Sequence, residues 1–184
     1  KKSWAPCERS KLPLAKNEIL PKDAPAFATA HAQDFYYYGN VPEGKLPEPF
    51  QRECLHGYLA AISYVDAQVG RLLAALEEAG LAENTIILFW SDHGYYMGEH
   101  GWWGMKHNNY EGPTRNCLIF SQSGMKHAGA KTAALAQSVD LAPTLTELCR
   151  LPAHAGFQAR SLKPVLDNPA AVVNDAAFSW YPKE

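Results

Sequence analysis

The stretch Thr85-Ile86-Ile87-Leu88-Phe89-Trp90-Ser91-Asp92-His93-Gly94 decides how this chain is read. The apolar or β-favouring run from Thr85 to Trp90 predicts a buried strand. The run stops at Ser91-Asp92-His93-Gly94. A carboxylate and an imidazole therefore stand where the strand leaves its sheet, the end at which ligands bind in open α/β folds. Gly94 allows the backbone to turn sharply, so both side chains can aim at one point. An anionic oxygen beside a neutral imidazole nitrogen is a usual pair of metal ligands, and it equally suits proton transfer. The competing reading is a plain turn with an exposed histidine, since Asp and Gly commonly follow strands.

Downstream, the chain continues Tyr95-Tyr96-Met97-Gly98-Glu99-His100-Gly101-Trp102-Trp103-Gly104-Met105-Lys106-His107-Asn108-Asn109-Tyr110-Glu111. Glycines alternate here with histidines, acids, a lysine and large aromatics, a composition that makes a poor helix and a poor core strand. It makes a good site loop: glycines shape it, aromatics wall it, and polar groups are left to do chemistry. Upstream, Tyr58, Ile62, Val65, Val69, Leu72, Leu73 and Leu76 recur at helical spacing, which predicts a helix over Phe50–Ala79 stopped by Gly80. Asp66 and Arg71 fall toward its polar side and His56 reads as a solvated helix residue. Helix, short loop and buried strand in succession are an α/β signature.

Beyond the loop, Asn116-Cys117-Leu118-Ile119-Phe120 predicts a second buried strand. A helix follows from Ser138 to about Cys149, with Pro143 in its first turn and Leu141, Leu145 and Leu148 as its apolar stripe. Arg160-Ser161-Leu162 with Leu166 predicts a short helical turn, and Ala177-Phe178-Ser179-Trp180-Tyr181 a last strand cut at Pro182. Residues 1–48 carry repeated prolines and no sustained period, so they are expected as an irregular lead wrapping the surface of something larger. Within that lead, Phe35-Tyr36-Tyr37-Tyr38-Gly39 reads as packing rather than as a substrate wall.

With 184 residues and 47% hydrophobic content, the chain can bury one core. A net charge of −2 gives no basic footprint for nucleic acid. No apolar run is expected to reach the length of a membrane span. Cys7, Cys54, Cys117 and Cys149 lack CxxC spacing and are expected as mostly buried free thiols.

The pattern Ser91-Asp92-His93-Gly94, Gly98-Glu99-His100-Gly101, Trp103 and Lys106 resembles the sulfatase family of the alkaline-phosphatase superfamily, most of all its iduronate-2-sulfatase-like branch. The resemblance extends over Gly57–Gly94, over Ser138–Pro152 and over Ala159–Pro169, and covers most of the chain from Phe50 to Pro182. It implies a three-layer α/β/α alkaline-phosphatase-like domain, incomplete here. Residues 1–184 would be part of one catalytic domain: lead 1–48, a helix–strand–active-loop–strand–helix core over 49–151, and a trailing segment 152–184. The remainder of that domain is then a required partner.

The activity implied is hydrolysis of sulfate monoesters, on sulfated sugars such as glycosaminoglycans or another small sulfate ester, in a secreted, periplasmic or lysosomal setting. The family binds one divalent cation, usually calcium, and Asp92 and His93 match two of its ligands, although the family often has Asn or Gln where His93 stands. Lys106 matches the lysine that contacts the sulfate. An additional residue between Trp103 and Lys106 makes His107 a rival for that position. Glu99 and His100 match the loop motif, with His100 a catalytic candidate. The family's nucleophile is a formylglycine made in a Cys-x-Pro-x-Arg type motif, and this chain has no such motif; Cys7-Glu8-Arg9-Ser10 lacks the proline and the spacing. The isolated chain is therefore expected to be inactive. A phosphodiesterase or phosphonate hydrolase of the same superfamily, or an inactive binding fragment, are the alternatives.

Overall fold

The computed structural model describes residues 7–25, 28, 35, 38–104 and 106–180. In order, the longer elements are helix α1 (Glu48–Glu78), strand β1 (Ile87–Trp90), the short helix α2 (Glu111–Thr114), strand β2 (Leu118–Ser121), helix α3 (Leu141–Leu148) and the short helix α4 (Lys163–Asp167). Single 3-10 turns at Arg9–Lys11, Ala82–Asn84, Glu99–Gly101 and Ser138–Asp140 join them. Contacts gather into two compact units that alternate along the chain, changing over after Ala82, after Asp92 and after Cys117.

The first unit holds α1, the lead and the loop from His93 to Cys117. Helix α1 opens after Pro47 with Pro49 in its first turn, where a missing N–H leaves no helical bond unmade. It runs on to Glu78, and Gly80, at φ +68, takes the left-handed step that ends it. The lead is tied to it: the Arg52 guanidinium donates to the Leu12 carbonyl and pairs with Glu48. Gln51 is buried and its Nε2 donates to the Leu46 carbonyl at 2.8 Å. The core lies between helix and loop, where Leu12, Leu46, Ala60, Tyr96, Trp102 and Trp103 are buried. Phe35 packs edge-on against Phe50 at 6.3 Å and lies 6.2 Å from Trp103, as the packing reading of the aromatic cluster expects; Tyr36 and Tyr37 of that cluster lie outside the described residues.

The second unit holds β1, β2, α3 and α4. The strands pair antiparallel with Ile87 opposite Ser121 and Trp90 opposite Leu118. Asp140 anchors the helical half of this unit. Fully buried, its Oδ2 accepts from the Gln137 N–H and from Asn174 Nδ2, both at 2.8 Å. One turn on, the buried Thr144 donates to the Asp140 carbonyl at 2.6 Å and accepts from the Leu162 N–H at 2.8 Å, which seats α4 against α3.

Several expectations are corrected. The two strands exist but are not buried: Phe89, Trp90 and Ile119 are exposed, because among the described residues the ladder has only two strands and much of their surface carries no covering layer. The stripe on α1 is likewise open, with Ile62, Val65 and Leu72 about half exposed or more. Residues 177–180 form no strand, and Phe178 and Trp180 stand in solvent; Tyr181 lies outside the described residues. The four cysteines are free, but Cys117 and Cys149 are exposed and Cys7 and Cys54 half-buried. Finally, α1 is long and apolar enough, by length and composition, to cross a membrane, contrary to the expectation that no run would be. Its charged residues Asp66 and Arg71 fall within the helix, and an open apolar stripe is equally what a helix made to cover a sheet carries.

Replacing Asp140 by Ala should lower the stability of the second unit by about 2–3 kcal/mol, the worth of two hydrogen bonds to a charged acceptor. Urea denaturation of the variant reads this directly, and an unmoved midpoint would remove Asp140 from that role.

Candidate functional site

The loop after β1 is shaped by close backbone approach. The Gly94 N–H donates to the Pro113 carbonyl at 2.8 Å. A Cβ on Gly94 would stand 1.9 Å from the Gly112 carbonyl oxygen, so only glycine fits. Gly112 in turn lies flat on the Tyr96 ring, where a Cβ would meet the ring at 2.5 Å. Gly98, Gly101 and Gly104 all have positive φ, and His100 between them sits at φ +58, a conformation that non-glycine residues rarely adopt. Two interactions hold it there: its N–H donates to the Asn17 carbonyl at 2.6 Å, and its ring Nδ1 lies 3.0 Å from the Ile19 carbonyl.

Tyr96 is the centre of the loop. It is 1% exposed and meets Trp102 edge-on at 5.1 Å, with Leu20 and Tyr110 against the pair. Its hydroxyl donates to Asn108 Oδ1 at 2.9 Å. Burial pushes the phenol up to about 12, so it keeps its proton and remains a donor. The Tyr110 N–H donates to the same Asn108 oxygen at 3.1 Å. Two donors on one atom fix which way the amide faces, and Asn108 Nδ2 is left buried without a partner among the described residues.

The residues expected to act are distributed as follows. Asp92 is exposed just past the end of β1 and closes a stretch of the second unit; His93 is half-buried and begins the loop of the first. His93 Nδ1 lies 2.8 Å from the Gly94 carbonyl, to which it donates, so a neutral imidazole there carries its lone pair on Nε2. Lys106 and His107 are half-buried on the segment between Gly104 and Asn108. His100 is held in the aromatic cage, 5.3 Å from the Tyr110 ring and 5.4 Å from Trp102. The Glu99 carboxylate accepts from the Met97 N–H at 2.9 Å, the loop-shaping role expected of it. A cleft of about 450 Å³ opens elsewhere in the first unit, lined by Glu18, Lys45, Gln51 and Trp103 among others, and none of the expected site residues lines it. Sequence reading missed Tyr96 and Asn108. Tyr96 is one aromatic among five in the loop, and nothing in the order of residues says which hydroxyl is buried.

Among the described residues no group of three or more His, Cys, Asp or Glu side chains converges to hold a metal. Asp92 offers a hard oxygen donor that suits calcium, which takes about six to eight oxygens. The His93 imidazole suits a borderline cation better.

Two expected outcomes follow from the loop. Gly94→Ala should cost more than about 3 kcal/mol, because the obstacle is backbone, whereas Gly70→Ala on α1, with nothing within 4 Å of the added carbon, should gain about 0.5–1 kcal/mol; thermal melts of the two variants test the contrast. The Tyr96 phenol is raised in the folded chain from 10.0 to about 12. Its contribution is whole below pH 10 and is lost as pH climbs toward 12, so alkaline unfolding should steepen in that window and flatten in Tyr96→Phe.

Comparison with known proteins gives a consistent picture. The family described as Sulfatase matches residues 13–150. The chain is 44% identical to human iduronate 2-sulfatase over 112 residues, covering 59% of this chain and 20% of that protein. It is 36% identical to an N-acetylglucosamine-6-O-sulfatase of Bacteroides thetaiotaomicron over 168 residues, covering 90% of this chain and 30% of the relative. In backbone it follows the phosphonate monoester hydrolase of Silicibacter pomeroyi with a TM-score of 0.70 over 91% of this chain and 34% of the other; at 24% identity that likeness concerns the fold alone. The chain thus spans less than a third of the length of these two curated relatives.

Proposed function

The chain belongs to the sulfatase family, and from that premise we propose that it carries the cation-binding and sulfate-contacting part of an enzyme that hydrolyses sulfate monoesters on sulfated sugars. Its fold is the alkaline-phosphatase-like fold of sulfatases, present in part. The observation that carries the reading is the continuity of the family match, which runs through the β1 exit and the Tyr96-centred loop bearing Lys106. The relatives named for iduronate and for N-acetylglucosamine sulfates point to sugars as the substrate class.

In this reading Asp92, with His93 as a second and softer donor, holds one face of a divalent cation, for which calcium is the proposal. When bound, that cation would polarise the sulfate and neutralise charge on its oxygens. Lys106 places an ammonium where negative charge develops on the sulfuryl group or the leaving oxygen; His107, next to it, is the alternative for that contact. His100 is the further catalytic candidate by its place in the Gly98–Gly101 motif, although its Nδ1 already faces the Ile19 carbonyl. The nucleophile, a formylglycine by family resemblance, is not encoded in these residues, so this polypeptide alone is expected to show no turnover. A secreted, periplasmic or lysosomal setting goes with the same resemblance. A phosphonate hydrolase of the same superfamily is the second reading, which the motif resemblance leaves open, with phosphonate monoesters as its substrate class.

The test is a pair of assays on the full natural product that contains this chain, with sulfated monosaccharides and phosphonate monoesters as substrates. Sulfate release should exceed phosphonate hydrolysis. Lys106→Ala should lower kcat by about a hundredfold or more, the usual loss on removing one charge-stabilising donor. Asp92→Ala should abolish calcium-dependent heat in titration calorimetry. Preference for phosphonate esters would move the protein to the second class, and full turnover in Asp92→Ala would defeat the cation assignment.

A further inference from the structure

Tyr96 touches the Lys106 segment at both of its ends. Its carbonyl oxygen accepts from the Gly104 N–H at 3.0 Å, and its hydroxyl donates to Asn108 Oδ1 at 2.9 Å. From Lys106 to Asn108 the backbone turns back on itself, the Asn108 N–H donating to the Lys106 carbonyl at 2.9 Å. On the near side, the bridge between Met97 and Trp103 pairs the two arms of the loop. On the far side, the Tyr110 N–H closes on the same Asn108 oxygen. Tyr96 itself cannot give way: its ring is buried against Trp102 and lies against Gly112 with no room for a further carbon.

We propose that Tyr96, acting through Gly104 and Asn108, is the positioning residue that sets where Lys106 presents its ammonium. The proposal rests on the reading of Lys106 as the sulfate contact. The additional residue between Trp103 and Lys106 makes the point physical. A longer segment has more conformations open to it, and two anchors on one residue, one at its main-chain carbonyl and one at its buried hydroxyl, remove them. Asn108 suits the task because one oxygen takes both donors, so the hydroxyl and the Tyr110 amide cannot be satisfied with the segment elsewhere. Tyr96 is not itself placed against substrate.

Two measurements on the full 184-residue chain test this. In the first, hydrogen exchange is compared between the chain and Tyr96→Phe, which keeps ring and backbone and removes only the hydroxyl. Exchange should quicken over residues 104–110 and stay unchanged in α1. Asn108→Ala should act on the same segment, and adding it to Tyr96→Phe should bring little more. The second measurement is the binding of inorganic sulfate, followed by NMR, in a double-mutant cycle. Tyr96→Phe should weaken sulfate by up to about tenfold, the effect of one net hydrogen bond. The same change in a Lys106→Met background should weaken it no further. A role in stability alone would lower affinity equally in both backgrounds, or not at all, and either result overturns the proposal. Unchanged exchange over 104–110 overturns it as well. Quickened exchange in a chain that binds no sulfate would instead leave the clamp standing and bring down the sulfate-contact reading of Lys106.

Discussion

The constraint on which this loop depends is the burial of one tyrosine with its hydroxyl satisfied. A phenol removed from water must find a hydrogen-bond partner or forfeit its solvation. Tyr96 finds one in Asn108, and that single bond converts a run of glycines and aromatics into a defined shape. The glycines are needed because the chain folds tightly around that ring: Gly112 lies on it, and Gly104 reaches its carbonyl only through a left-handed turn. The loop thereby gives Tyr96, Trp102 and Trp103 to the core of the first unit. It is a small polar–aromatic knot on which charged side chains are displayed.

Much of the rest of the chain is unusually open. A helix of 31 residues buries only Gln51 and Ala60 fully, and its apolar stripe faces outward. The two strands expose Phe89, Trp90 and Ile119. Open apolar patches of this kind mark surfaces made to meet something else. The relatives give the scale: the chain corresponds to 20% of human iduronate 2-sulfatase and 30% of the bacterial N-acetylglucosamine-6-O-sulfatase. The same stripe that makes α1 apolar enough over its length to cross a membrane is the stripe a layer helix uses to cover a sheet. Its interruption by Asp66 and Arg71 and the family's α/β architecture favour the second use.

The chemistry divides along the chain in the same way. Asp92 and His93 are neighbours in sequence yet fall to different compact units, and the chain offers no third metal-ligating side chain beside them among the described residues. His100, which the motif marks as a candidate, spends its backbone strain and its Nδ1 on tying the loop to the lead at Asn17 and Ile19. A motif histidine can thus serve the shape of a loop.

The sequence by itself determined the local elements. Helical spacing of apolar residues placed α1 within two residues of its true start, and Gly80 marked its end, because both signals are written in nearest-neighbour geometry. The strand before Asp92 and the helix after Ser138 were legible for the same reason. The motif pattern identified the family, since residue types at fixed spacing are read without reference to packing. Burial was not legible. The strands and the α1 stripe read as core because their composition is that of core, but burial is a property of what lies across from a residue, and composition cannot report a missing neighbour. The strand expected at Ala177–Tyr181 failed likewise: β-propensity without a pairing partner leaves residues 177–180 irregular. Only the tertiary structure singled out Tyr96 and Asn108, twelve residues apart and joined by one hydrogen bond, because the choice of which tyrosine is buried is made by the surrounding rings and not by the order of the chain.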